Sequence, residues 1–177
     1  MPLLIVRTRD EAHLYMDLHP CECGSIETDW DSALVSSDAD LARAYRGACS
    51  DCGREREFVF ALSPRVVMPD GWPTFGGGEP SKLLDAGDWL WVADMMAGNL
   101  PADDADEARR QLNVASKSMD EIMKFIPDGA DEVPGEAFWS ERGQQVRDAD
   151  PGRFCLDRLE VARETYRDMA SGRRPLP

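Results

Sequence analysis

The spacing of apolar residues changes once along the chain, and the change separates a first part that predicts strands from a second that predicts helices. In the first part apolar and polar residues alternate, as they do along a half-buried strand. The alternation predicts strands at residues 3–7, 12–18, 25–30, 41–48 and 54–62. We therefore expect the first part to be a small sheet of antiparallel strands.

Apolar residues recur at intervals of three and four from Pro80 onward, which is the period of an α-helix. The predicted helices cover residues 80–98, 100–126, 136–146 and 151–170. Acidic residues at 103–107 suit the first turns of the second helix because they complement its dipole. Trp89 and Trp91 lie two residues apart, so we expect one in the core and the other against the sheet part or a partner.

Proline and glycine interrupt the pattern between the two parts, over residues 64–80. The run Gly76-Gly77-Gly78 could be taken for a phosphate loop, but no Gly-Lys-Ser or Gly-Lys-Thr follows it. Glu79 would also repel an anion. This segment is therefore predicted to be a linker, or a docking loop in which backbones approach closely.

These patterns predict an α+β fold in which antiparallel strands come first and three or four helices follow. We expect a β module at residues 1–63, a linker at residues 64–80, and a helical part at residues 81–177 that packs on the β module.

Four of the five cysteines occur as two pairs, and each pair ends in Cys-Gly. The first is Cys21-Glu22-Cys23-Gly24 and the second is Cys49-Ser50-Asp51-Cys52-Gly53. Such a turn presents two thiolates to a metal, and its glycine permits the backbone to wrap around the sulfurs. The 25 residues between the pairs are enough for the two turns to face each other across one ion. The fifth cysteine, Cys155, stands alone and is interpreted as a small core residue.

Residues 12–62 resemble the zinc-ribbon family, in which two cysteine-bearing hairpins share one tetrahedral zinc ion. The resemblance implies that Cys21, Cys23, Cys49 and Cys52 are the ligands of a structural Zn²⁺. The second pair has the family's usual Cys-x-x-Cys-Gly form, whereas one residue alone separates the cysteines of the first pair. His19 is close enough to replace Cys21, so a site of three cysteines and one histidine stays open.

The sequence contains no recognisable catalytic set. Its two histidines, His13 and His19, both fall in the sheet part, and neither a Gly-x-Ser-x-Gly nor a His-Glu-x-x-His motif occurs. Four thiolates would leave no open position for water on the zinc, so the metal is expected to be structural. An enzyme, including a zinc-dependent hydrolase with three protein ligands, is the less favoured hypothesis.

The formal net charge of -14 disfavours a nucleic-acid backbone as the partner, since phosphate binding depends on lysine and arginine. We therefore favour a non-enzymatic adaptor, or an antagonist of the immunity type, that binds a basic protein. The alternative is a nucleic-acid or transcription-related zinc ribbon that uses a local basic patch at Arg43, Arg46, Arg54 and Arg56.

The N-terminal residues do not have the form of an export signal, because Arg7 and Arg9 follow the short apolar run and do not precede it. Apolar runs are also too short to cross a membrane. Cysteines arranged for metal binding are typical of a reducing compartment, so we expect a cytoplasmic protein. The sequence does not predict the oligomeric state.

Overall fold

The computed structural model describes residues 3–37, 40–65, 67–69 and 71–173, and the fold is α+β, as the sequence predicts. The chain forms two compact units. The sheet unit consists of Met1–Met68 and Phe75–Gly77, and the helical unit consists of Pro69–Thr74 and Gly78–Pro177.

The sheet unit contains one four-stranded sheet, with strands β1 (Leu4–Val6), β2 (Asp31–Ser37), β3 (Asp40–Ala48) and β4 (Glu55–Leu62). The strand order is β1-β4-β3-β2. The pairs β2–β3 and β3–β4 are antiparallel, but β1 lies parallel to β4. The sheet is therefore mixed, and the prediction of a purely antiparallel sheet is wrong for β1.

The strand predicted at residues 12–18 is wrong, since Arg9–Asp17 form a helix, α1. The Thr8 side chain accepts a hydrogen bond from the Glu11 N–H and so caps its first turn. Ala12 and Met16, four residues apart, are both fully buried, and the Tyr15 ring meets the Phe60 ring edge-on at 5.6 Å. The alternation in this segment is thus incidental, and burial against the sheet follows helical spacing.

The strand predicted at residues 25–30 also does not form a regular strand. Its one sheet-like contact is an isolated antiparallel bridge between Thr28 and Cys49, and β2 begins only at Asp31. Close packing explains the path, because a Cβ on Gly47 would overlap the carbonyl of Asp29. Only glycine lets this segment cross the end of β3.

The Gly-rich segment contributes Phe75–Gly77 to the sheet unit. The Thr8 hydroxyl donates to the Phe75 carbonyl at 3.1 Å, and a Cβ on Gly76 would overlap the Arg7 guanidinium. Arg7 is itself held by the fully buried Glu11, which accepts from its Nε at 2.9 Å. The absence of a side chain at Gly76 is therefore required by close approach to a buried ion pair.

The helical unit contains α2 (Ala86–Gly98), α3 (Ala105–Met123), α4 (Glu141–Ala149) and α5 (Leu156–Ala170). Short 3-10 turns precede α4 and α5, at Gly135–Ala137 and Pro151–Phe154. All four helices match predicted segments, although α2 begins at Ala86 and α3 at Ala105, later than expected. Asp85 and Asp104 supply the side-chain caps that set these two starts.

The core of the helical unit is made mainly by α2, α3 and α5. Its fully buried side chains include Trp89, Leu90, Val92, Met119, Ile122 and Leu159. Trp89 is in this core, as expected for one of the two tryptophans. Trp91 is half-buried, and the Arg142 guanidinium lies 4.9 Å from its ring centre.

The first turns of α2 and α4 touch through two glycines. A Cβ on Gly87 would overlap the backbone of Gly143, and a Cβ on Gly143 would overlap the Asp85 carboxylate. Asp85 is fully buried and accepts from the backbone N–H groups of Asp88 at 2.8 Å and Ser140 at 2.6 Å. One carboxylate thus accepts hydrogen bonds from backbone N–H groups at the starts of both α2 and α4.

Among the described residues, none of the helices combines the length and apolar composition needed to cross a bilayer.

Candidate metal centre

The two cysteine pairs lie in turns with matching backbone hydrogen bonds. In the first turn the Gly24 N–H donates to the Cys21 carbonyl at 2.7 Å, and in the second the Gly53 N–H donates to the Cys49 carbonyl at 2.8 Å. Both glycines have positive φ, 91° at Gly24 and 72° at Gly53. The first pair has one residue fewer between its cysteines, so its turn is shorter, but it keeps the backbone hydrogen bond and the left-handed glycine of the second turn.

The turns face each other in a crossed arrangement. The sulfur of Cys21 is 3.5 Å from that of Cys52, and the sulfur of Cys23 is 3.6 Å from that of Cys49. All four sulfurs lie within 4.8 Å of one another. The first cysteine of each turn is buried and the second is exposed, so the cluster lies at the surface with one open side.

These distances fit a zinc ion bound by four thiolates. Zinc–sulfur bonds of about 2.3 Å place the corners of a regular tetrahedron about 3.8 Å apart. A disulfide would require about 2.05 Å, much less than the separations found. The sulfur cluster therefore is a candidate metal centre, and thiolate ligands favour Zn²⁺ among the common divalent ions.

Backbone N–H groups and neighbouring thiols have opposite effects on the pKa values of the two cysteines in the second turn. Donation from the Cys52 N–H lowers the pKa of Cys49 to about 6, in spite of burial. For Cys52, donation from the Arg54 N–H lowers the pKa, but the Cys23 and Cys21 thiols outweigh it and raise the pKa to about 12. Without a metal the cluster thus retains protons, which a cation would replace.

His19 is not part of the sulfur cluster. Its Nδ1 lies 2.7 Å from the Tyr15 carbonyl oxygen, and its ring lies 4.0 Å from the Tyr15 ring. His13 contacts Tyr45 edge-on at 5.4 Å. Both histidines thus contact side chains or backbone of the sheet unit, whereas the cluster that could hold an ion contains Cys21, Cys23, Cys49 and Cys52.

Cys155 belongs to the other unit. It is half-buried at the start of α5, where its backbone forms a bridge with Glu132. The described structure gives it no part in the four-sulfur cluster.

The basic patch considered for nucleic-acid binding is largely occupied by contacts within the chain. Arg46 pairs with Glu57 at 2.7 Å, and Arg54 pairs with Glu22 across the two cysteine turns. Arg56 is buried. The fourth arginine, Arg43, donates a hydrogen bond of 3.4 Å to the Ser32 hydroxyl.

Carboxylates surround the cysteine turns instead. Six of them are exposed and lie within or next to the turns, the segment that follows the first turn, or the start of β4: Glu22, Glu27, Asp29, Asp31, Asp51 and Glu55. We call this surface the acidic rim. The backbone ties its parts together, since the Ser50 N–H donates to the Glu27 carbonyl at 3.0 Å. A site of four thiolates and one Zn²⁺ would add two further negative charges.

Arg56 is the residue near the centre that sequence reasoning misjudged, because its position among charged residues on β4 indicates an exposed side chain. Its place on the strand gives the missing signal, since Arg56, Phe58 and Phe60 alternate onto the face that α1 covers. A charged residue in phase with buried aromatic residues is a candidate buried anchor.

No family model, no curated protein and no solved structure matches this chain. The interpretation of the site therefore depends on its own geometry and chemistry.

Proposed function

We propose that this protein is a non-enzymatic, zinc-binding adaptor or antagonist whose acidic rim binds a basic protein partner in the cytoplasm. The observation that carries the proposal is the four-sulfur cluster, whose spacing suits one tetrahedral Zn²⁺. Four thiolates would fill the coordination shell, so the metal would hold the two turns together without taking part in chemistry.

The acidic rim supports the choice of a basic partner. Its carboxylates are exposed and lie next to the metal centre, where a structural ion would keep the backbone that carries them in one arrangement. Opposite charge on a partner would raise the rate of encounter and disfavour nucleic acids. We also propose that the sheet unit contains a zinc ribbon. The two matching cysteine turns support this, as does the β3–β4 strand pair that the second cysteine turn connects.

The experiment compares two variants that remove the same charge from different surfaces. One neutralises the acidic rim with Glu27→Gln, Asp29→Asn, Asp51→Asn and Glu55→Gln. Its control neutralises four exposed carboxylates of the helical unit with Asp128→Asn, Glu136→Gln, Asp148→Asn and Glu160→Gln. Both variants should keep one zinc per chain.

Partners captured from host extract with the wild-type protein are purified, and their affinities for the three proteins are measured at low and high salt. We expect the rim variant to bind about tenfold or more weakly and the control to bind nearly as well as wild type. Equal loss in both variants, or a captured partner that is acidic, would contradict the proposal. Elemental analysis that finds no zinc would contradict its metal part.

A further inference from the structure

Arg56 makes an unusual set of contacts for an arginine on a small sheet. The residue is 9% exposed. Its Nη2 donates to the carbonyl oxygens of His19 at 2.6 Å and Met16 at 3.3 Å, and its Nη1 donates to the Thr28 hydroxyl at 2.7 Å. The Trp30 ring lies 4.9 Å from the guanidinium carbon. All three hydrogen bonds go to neutral oxygens, so the guanidinium holds two backbone carbonyls and one loop hydroxyl, and the Asp17 carboxyl interacts with it electrostatically.

These contacts lie on the two segments that flank the first cysteine turn. His19 precedes Cys21 by two residues, at the end of α1, where a cation also complements the helix dipole. Thr28 follows the first turn, and its backbone bridges to Cys49 of the second. Arg56 itself follows Cys52 by four residues on β4.

One planar side chain therefore connects the chain entering the first turn, the chain leaving it, and the strand leaving the second turn. If these three segments moved independently, the crossed sulfur pairs could not keep separations of 3.5 and 3.6 Å. Groups outside the ligand shell commonly orient metal ligands in this way.

We propose that Arg56 is a positioning residue that holds the first cysteine turn against the second in the geometry that zinc requires. The inference depends on the proposed zinc site, and it assigns to one buried side chain the preorganisation of ligands that are distant in the chain. A lysine cannot replace it, because an ammonium group lacks the planar fork that reaches Thr28 and the two carbonyls together.

The test measures zinc affinity by competition with a chromophoric chelator, and zinc release after excess chelator is added. Arg56→Lys keeps the charge, and we expect it to weaken zinc binding about 10- to 100-fold and to speed release. Arg46→Lys is the matched control, since Arg46 is an exposed arginine of the same sheet that pairs with Glu57. Its affinity should stay within about twofold of wild type.

A second variant tests the same contact with a smaller change, in case Arg56→Lys unfolds the sheet unit. Thr28→Val removes one hydrogen bond and keeps the shape of the side chain, so we expect affinity to fall about two- to tenfold. In the double variant with Arg56→Lys the two losses should not add, because both interrupt the same contact. The visible spectrum of the Co²⁺-loaded protein, which reports ligand geometry, should change in Arg56→Lys and not in Arg46→Lys.

The result that would overturn the inference is an Arg56→Lys protein that binds zinc as tightly as Arg46→Lys and gives the wild-type cobalt spectrum. Additive losses in the double variant would also overturn it. A wild-type protein without a zinc site would overturn the proposed function and this inference together, whereas wild-type zinc binding with an unaffected Arg56→Lys would overturn the inference alone.

Discussion

The sheet unit and the helical unit solve the same problem, the joining of distant segments, by different means. In the sheet unit two turns meet through sulfurs, and the first turn has no regular strand on either side. In the helical unit α2 meets α4 through glycine backbones and a shared carboxylate, and it packs on α3 through apolar side chains. The helices are therefore joined by packing alone, whereas the cysteine end of the sheet unit is joined at a sulfur cluster that could hold a metal ion.

Removal of one of the clustered cysteines is expected to cause the largest difference between the two units. Cys49→Ser is expected to abolish stoichiometric zinc binding and to unfold the cysteine end of the sheet unit, because structural zinc contributes about 10 kcal/mol or more to folding. The amides of α2 and α3 should keep their protection from hydrogen exchange. Elemental analysis and hydrogen exchange make the measurement, and a variant with full zinc content would show that the ligand assignment is wrong.

The corresponding change in the helical unit is Gly87→Ala. The added methyl group would overlap the backbone of Gly143, and we expect a loss of about 1–3 kcal/mol in unfolding free energy without loss of zinc. Gly98→Ala is the control in the same helix, since no atom lies within 4 Å of its added Cβ. Thermal denaturation of the zinc-loaded proteins compares the two, and equal stability would contradict the close crossing.

A change of pH should affect the sheet unit selectively. The neighbouring thiols raise the pKa of Cys52, so the metal-free cluster holds a proton at neutral pH that zinc must displace. The zinc-linked stability is therefore present at high pH and lost as the pH falls, by about tenfold in affinity per pH unit for each proton released. Calorimetry in buffers of different ionisation enthalpy counts the protons, and a zinc affinity independent of pH between about 6 and 8 would contradict the assignment.

The smallest effect is expected at the fifth cysteine. Cys155→Ala should keep full zinc content, because Cys155 lies at the start of α5 and outside the sulfur cluster. Zinc determination with a thiol count on the denatured protein checks this outcome. A fall in zinc content would place Cys155 in the site and would remove the contrast between the units.

Much of the fold was predictable because the burial pattern is periodic. β3 and β4 match the predicted strands within one residue at each end, and the apolar spacing of α3 and α5 identified both helices. Helix α1 was missed, although Thr8 and Glu11 have the spacing of a capping box. Over residues 12–18 a fortuitous alternation outweighed that signal, and only contact with the sheet shows which apolar residues are buried together.

The four cysteines that cluster in the candidate site could be singled out from the sequence, but the side chain that connects their segments could not. Two Cys-Gly pairs predict metal-binding turns, since thiolates and a left-handed glycine are local requirements. The role of Arg56 was not predictable in this way, because its partners at Met16, His19 and Thr28 are 28 to 40 residues away in the chain.

The amino-acid sequence by itself determined the two cysteine turns, the division into a first part with the sheet and a second part made of helices, and the acidic character of the protein, because each depends on residue type and short spacing. Tertiary structure alone decided that α1 is a helix, that β1 lies parallel to β4, and that Arg56 is buried. Those outcomes depend on which segments meet, and a contact between residues distant in the chain leaves no periodic mark in the sequence.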